Sequence, residues 1–228
     1  MLKDLLFPKK CLSCQTWGDY LCPDCLNKLS LVKNPICPVC FRPARYGKTH
    51  PHCLKKDKNS LDGLISIFLY KGIIKKALLK LKKNYLKDLS STLVELFLSF
   101  GGENKELSRL IRRKPIFIPL PMTKKEINYQ GFNPHHLLGR LITQNLGIPF
   151  LDQAILKQAE LKENSCFSEY NKAFLINEKL SFKGVSEVFL FKDIFKNGRD
   201  LRVCAKLLKQ KGVKKVWGLT LALDSKKT

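Results

Sequence analysis

No run of about 18 or more uncharged apolar residues occurs in the 228-residue chain, so no membrane-spanning helix is expected. The opening segment MLKDLLFPKKC has neither a long apolar stretch nor a small-residue cleavage site, so it does not read as a secretory signal. The chain is therefore expected in the cytoplasm. Glycine (13) and proline (11) are too scarce for a collagenous or low-complexity chain. Acids are scarce as well: 19 against 42 lysines and arginines, a formal net charge of +23. A phosphate-rich partner is the usual reason for such an excess. The plain alternative is a lysine-rich proteome, since lysine far outnumbers arginine. The remaining composition is ordinary, with 44% hydrophobic and 27% charged residues, and the length suits one domain plus a small module.

Cysteine is the exception to scarcity. Seven of the nine fall in the first 53 residues, as Cys11-x-x-Cys14, Cys22-x-x-Cys25 and Cys37-x-x-Cys40, followed by His50-x-x-Cys53. In a cytosolic chain such knuckles read as zinc sites, because a tight turn can aim two side chains at one tetrahedral ion. Cys11, Cys14, Cys22, Cys25, Cys37, Cys40, His50 and Cys53 would hold two structural Zn²⁺. His52 is a rival to His50, but its adjacency to Cys53 makes shared ligation awkward. The short gaps within each half favour sequential pairing and leave crossed pairing open. Closed four-ligand sites have no vacant position for chemistry. Residues 1–56 form this module, which is too small to fold without metal. Thiolate ligation of two ions trims the charge to about +20. Cys166 and Cys204 stand alone and read as buried small hydrophobes.

Residues 55–60 (KKDKNS) read as a linker to a second unit, 61–228. Strands are expected at 61–70, 115–121, 185–193 and 213–223, with helices within 73–100, 132–146 and 199–211. Residues 122–131 read as a loop. Strands alternating with helices predict a parallel α/β sheet, with function at the carboxyl ends of its strands. In the first helix Ile74, Leu78, Leu81 and Tyr85 share one face, and Lys76, Lys80, Lys83 and Lys87 lie opposite. Seven lysines and no acid occur between Lys71 and Lys87. A one-sign stripe favours an anionic partner over a merely solvated face.

The phrases LLFPKKCLSC, YLCPDCLNKL, FLYKGIIKKALLKLKK and IPLPMTKKEINYQGFNPHHLLGRLI, with the segment Val185–Leu208, resemble the competence protein F (ComF) family over nearly the whole chain. The resemblance implies a double zinc ribbon joined to a type I phosphoribosyltransferase-like domain, a parallel sheet with helices. It also implies DNA uptake in natural transformation, with single-stranded DNA as partner and the Lys76, Lys80, Lys83 and Lys87 stripe as the expected contact.

In phosphoribosyltransferases a strand ends in two acids that hold the ribose of phosphoribosyl pyrophosphate (PRPP). A threonine-rich turn then cradles its phosphate at a helix start. Here Asp193 matches the second acid and Gly198 the glycine. Lys192 replaces the first acid, and Lys196, Asn197 and Asp200 replace threonines. In Gln130–Pro134 the family's usual basic first residue and amide last residue are also missing. Asp193, Asn197 and Gly198 thus form a degenerate PRPP loop, expected to bind PRPP weakly and to lack catalytic residues. The alternatives are a working phosphoribosyltransferase with Asp193 as its ribose ligand, or a zinc-ribbon adaptor for DNA-uptake proteins such as a helicase or membrane pore.

Overall fold

The structure is a computed structural model that describes residues 9–83, 88–162 and 164–224. Four strands, β1 (Gly63–Leu69), β2 (Ile116–Pro119), β5 (Glu187–Phe195) and β6 (Lys215–Leu223), form one sheet in the order β1-β6-β5-β2. All three pairings are parallel. Their sequences, such as GLISIFL and KVWGLTLAL, are almost continuously apolar because both faces of the sheet are covered. Alternation still sorts them: Phe189 and Phe191 pack on one face, Val188 and Leu190 on the other. The two buried hydroxyls inside the sheet, Ser66 and Thr220, satisfy each other at 2.6 Å.

One face carries helices α1 (Gly72–Lys83), α2 (Leu89–Gly102), α3 (Lys105–Ile111) and α5 (Pro134–Leu146). The other carries α6 (Phe167–Ala173), α7 (Arg199–Gln210) and an antiparallel pair of β3 (Ile155–Lys157) and β4 (Phe174–Ile176). Helix α4 (Lys124–Gln130) lies between β2 and α5. A parallel α/β sheet preceded by a zinc-ribbon module is thus the fold of this chain.

Three local expectations are corrected. The 122–131 loop contains α4, held by a capping box in which Glu126 N–H donates to Thr123 and Thr123 N–H donates to Glu126. The Thr-x-x-Glu signal was legible in the sequence. The first two residues of the 55–60 linker end a short helix, Pro51–Lys56. Cys204 is buried as expected, but Cys166 is exposed at the start of α6.

The ribbon module does not hang free. Val32 N–H donates to Ile67 O (2.9 Å) and Leu69 N–H to Ser30 O (2.7 Å), so the chain between the ribbons covers the outer edge of β1. Farther along the same edge, Thr49 N–H donates to Asp62 O at 2.9 Å. Gly47, at φ +70°, makes this approach possible, since a β-carbon there would lie 2.0 Å from Leu64 O.

Candidate metal centres and the cleft at the strand ends

Each ribbon is built from two turns of different kinds. Cys11–Cys14 and Cys37–Cys40 are knuckles in which the residue after the second cysteine donates back to the first: Gln15 N–H to Cys11 O (3.0 Å) and Phe41 N–H to Cys37 O (2.9 Å). That closure puts Gln15 at φ +66° and Phe41 at φ +62°, a left-handed backbone that costs a side-chain-bearing residue. The second pair of each ribbon, Cys22–Cys25 and His50–Cys53, opens a short helix with proline at its first position, Pro23 or Pro51.

These turns gather Cys11, Cys14, Cys22 and Cys25 in one group and Cys37, Cys40, His50 and Cys53 in another. Within each group the ligand atoms all lie within 4.8 Å of one another. The groups are sequential, so crossed pairing is not the arrangement found. The chemistry of both donor sets fits a closed tetrahedral Zn²⁺. Burial, together with neighbouring Cys40, pushes the Cys53 thiol up to about 12. A divalent ion would reverse it. His50 Nδ1 lies 3.2 Å from Cys40 Sγ, and its Nε2 lies 3.1 Å from the Pro43 carbonyl. Since a carbonyl only accepts, Nε2 carries the proton and Nδ1 is left for metal. His52 stacks on His50 at 5.3 Å and contacts Cys53 Sγ at 3.3 Å, outside the gathered set.

At the carboxyl ends of the strands lies a cleft of about 240 Å³ lined by Lys82, Glu126, His135, Lys157, Lys192 and Asp200, among others. Its charges are matched within the protein. Asp193, fully buried on β5, forms an ion pair with Lys82 from α1. The other Asp193 oxygen lies 3.1 Å from His135 Nε2 and accepts from Ile194 N–H at 2.9 Å. Burial alone would raise the Asp193 pKa; the Lys82 ammonium and His135 outweigh it and hold the carboxyl far below the usual range. Lys192 pairs with Asp200, and Lys157 with Glu126. Burial works against both partners of the Lys192–Asp200 pair, yet their mutual attraction raises the lysine and lowers the aspartate.

The other loop residues are engaged locally. Asn197 Oδ1 accepts from Arg199 N–H at 3.2 Å, and Gly198 starts α7 at φ +61°. The GFN phrase is a helix-to-helix corner. Gly131 ends α4 at φ +74°, and Asn133 caps α5 by accepting from His135 N–H (2.9 Å) and His136 N–H (3.3 Å). That cap aims His135 at Asp193. Neither Lys82 nor His135 was singled out in the sequence. Lys82 sits off the lysine stripe, and only the packing of α1 over β5 gives it a partner. Of the stripe itself, Lys76, Lys80 and Lys83 are exposed and carry no ion pair among the described residues, while Lys87 lies outside those residues. Ile74, Leu78 and Leu81 are buried on the opposite face. Among the described residues no helix is long and apolar enough to cross a membrane.

Residues 2–54 match the double zinc ribbon domain family. Over 205 residues the chain is 22% identical to Competence protein ComFC of Bacillus subtilis (strain 168), covering 84% of this chain and 79% of that protein. A solved structure of adenine phosphoribosyltransferase from Saccharomyces cerevisiae, complexed with an imino-altritol bisphosphate and adenine, aligns over 59% of this chain and 69% of that one. Its TM-score is 0.36, at 17% identity. The chain carries a double zinc ribbon at its N-terminus and is similar to ComFC over most of its length, in agreement with the resemblance read from its motifs.

Proposed function

We propose that this chain is a ComF-like competence protein that acts in the cytoplasm and handles incoming single-stranded DNA in natural transformation, by binding and not by catalysis. The relationship to ComFC supports the competence role, and the net charge of +23 supports a polyanionic partner. The observation that carries the non-catalytic form is that the charges of the strand-end cleft are already matched within the protein. A ribose would need a free carboxylate, and Asp193 is fully buried between Lys82 and His135. Lys192 and Asp200 satisfy each other, and Asn197 is used by its own turn. Binding PRPP there would mean breaking charge-assisted contacts worth about 1.5–3 kcal/mol each, which leaves only weak binding at the backbone of the Gly198 turn. The two zinc ions hold the ribbons in shape. DNA-uptake proteins such as a helicase or membrane pore are the protein partners this role implies.

The test is a side-by-side titration of the purified protein with single-stranded DNA and with PRPP, and an assay for pyrophosphate release with the common nucleobases. DNA binding without pyrophosphate release is expected. Turnover that disappears in Asp193→Ala would overturn the reading in favour of a working phosphoribosyltransferase.

A further inference from the structure

We infer that the single strand runs over the second zinc ribbon, along three cavities that neighbour one another in a row, and not primarily along the lysine face of α1. This placement rests on the DNA-binding reading above.

The first cavity, about 930 Å³, lies between the ribbons and the carboxyl ends of β1 and β6. Its floor is apolar, with Leu31, Val32, Ile36 and Phe41, and its rim carries Lys33, Arg42 and Lys71. The second, about 480 Å³, shares Cys40 and Arg42 with the first and adds Lys56. The third, about 640 Å³, shares Asp57 and Arg202 with the second and ends at Phe167 and Arg199. Each cavity shares two lining residues with the next, so the three are neighbours in a row.

The track's charge is nearly of one sign. Asp57 is the one carboxylate among the described residues lining it. Lys33, Arg42, Lys56 and Lys71 have no ion pair or side-chain hydrogen bond among the described residues, in contrast to the matched charges of the strand-end cleft. Buried Arg202 Nε has no hydrogen-bond partner among the described residues, and the guanidinium sits 5.4 Å over the Phe167 ring, which is 39% exposed. The second aromatic face is Phe41, held at φ +62° by the knuckle and backed by Phe195 at 5.9 Å. Cations that alternate with aromatic faces over an apolar floor suit a single strand, whose phosphates take the cations and whose bases take the rings. An acidic peptide would satisfy the cations and leave the floor and rings unfilled.

The test is anisotropy titration of a fluorescein-labelled oligo-dT with the full chain over a series of salt concentrations. The variants are a track quartet (Lys33→Glu, Arg42→Glu, Lys56→Glu, Lys71→Glu), the same quartet to Gln, and a stripe variant (Lys76→Glu, Lys80→Glu, Lys83→Glu). Zinc content and circular dichroism check folding, and the Gln quartet stands in should the Glu quartet not fold. The track quartet should bind more than about tenfold more weakly, with a log–log salt slope shallower by roughly 2–3 units, at about 0.7 per lost contact. The Gln quartet should fall between it and the wild type, and the stripe variant should keep most of the affinity. An iodouracil-substituted strand should photo-crosslink to peptides holding Phe41 or Phe167. Tight oligo-dT binding by the wild type with unchanged affinity and slope in the folded track quartet would overturn the track and leave DNA binding intact. Crosslinks confined to Trp17, Tyr46 or Tyr129 would do the same. No oligo-dT binding by the wild type, with or without track-dependent binding of a poly-glutamate peptide, would overturn both.

Discussion

At the scale of single residues, two side chains carry the sharpest expectations. His50 presents Nδ1 to the thiols of the second ribbon while Nε2–H is held by the Pro43 carbonyl. His50→Ala should therefore lower the zinc content from two toward one per chain, and His52→Ala should leave it near two, as read by elemental analysis of freshly purified protein. Asp193 is the other. Its depressed pKa means that it contributes stability above the unfolded aspartate value of about 3.9, and that this contribution is lost as pH falls below it. Lys82→Met removes the ion pair and leaves a buried carboxylate with His135 as its remaining side-chain partner. The variant should be destabilised near neutral pH, toward the lower end of about 3–5 kcal/mol because Lys82 is only half-buried. The gap to the wild type should narrow as pH drops below about 4, where protonation relieves the lone carboxylate. Denaturant melts at pH 7 and pH 3.5 read both effects; a gap that does not change with pH would refute the assignment.

Among elements, the chain between the ribbons and β1 depend on each other. The edge of β1 is covered by backbone hydrogen bonds from residues 30–32 and 49, and Gly47 sets the closest approach. Gly47→Ala has no room for its β-carbon against Leu64 O and also meets the penalty of φ +70°. It should lower the melting temperature and expose β1 to exchange, whereas Gln15→Gly, which relieves a strained knuckle, should retain both zinc ions. Hydrogen–deuterium exchange of residues 63–69 and zinc content distinguish the two. The helix at 124–130 was legible from its Thr123–Glu126 capping box yet read as a loop, because the segment has no buried residue to give it an apolar period. The β3–β4 pair gave no signal: three-residue strands are too short to show a period, and they form only where the sheet face needs covering.

For the whole molecule, the first ribbon and the sheet share one apolar cluster. Cys11, Leu21, Cys22 and Cys25 are buried with Phe68, Leu78 and Phe97. Metal loss therefore reaches beyond the ribbon. A strong chelator should convert the calorimetric unfolding of the full chain to a lower-temperature transition and promote aggregation, since unfolding of the ribbon uncovers the β1 edge. Two well-separated transitions, with the sheet's melting point unchanged by chelation, would show that the ribbon contributes nothing to the rest.

What depends on near neighbours and on composition is legible in the order of residues. The eight zinc-ligand candidates, the alternation of strands and helices and the positive charge could be read from spacing and residue type, while sequential pairing of the ribbons was favoured there and fixed by the fold. A tetrahedral ion needs a fixed local geometry, and a strand buried on both faces must be apolar throughout. Which charges face each other follows from the packing of the folded chain. Lys82 and His135 come from two helices far from β5 in the chain, and their meeting on Asp193 follows from how those helices pack across the sheet. The same packing laid the second ribbon over the strand ends and left Lys33, Arg42, Lys56 and Lys71 without partners among the described residues. Coulomb energy depends on distance in space and on exclusion of water, and neither is recorded in the order of residues.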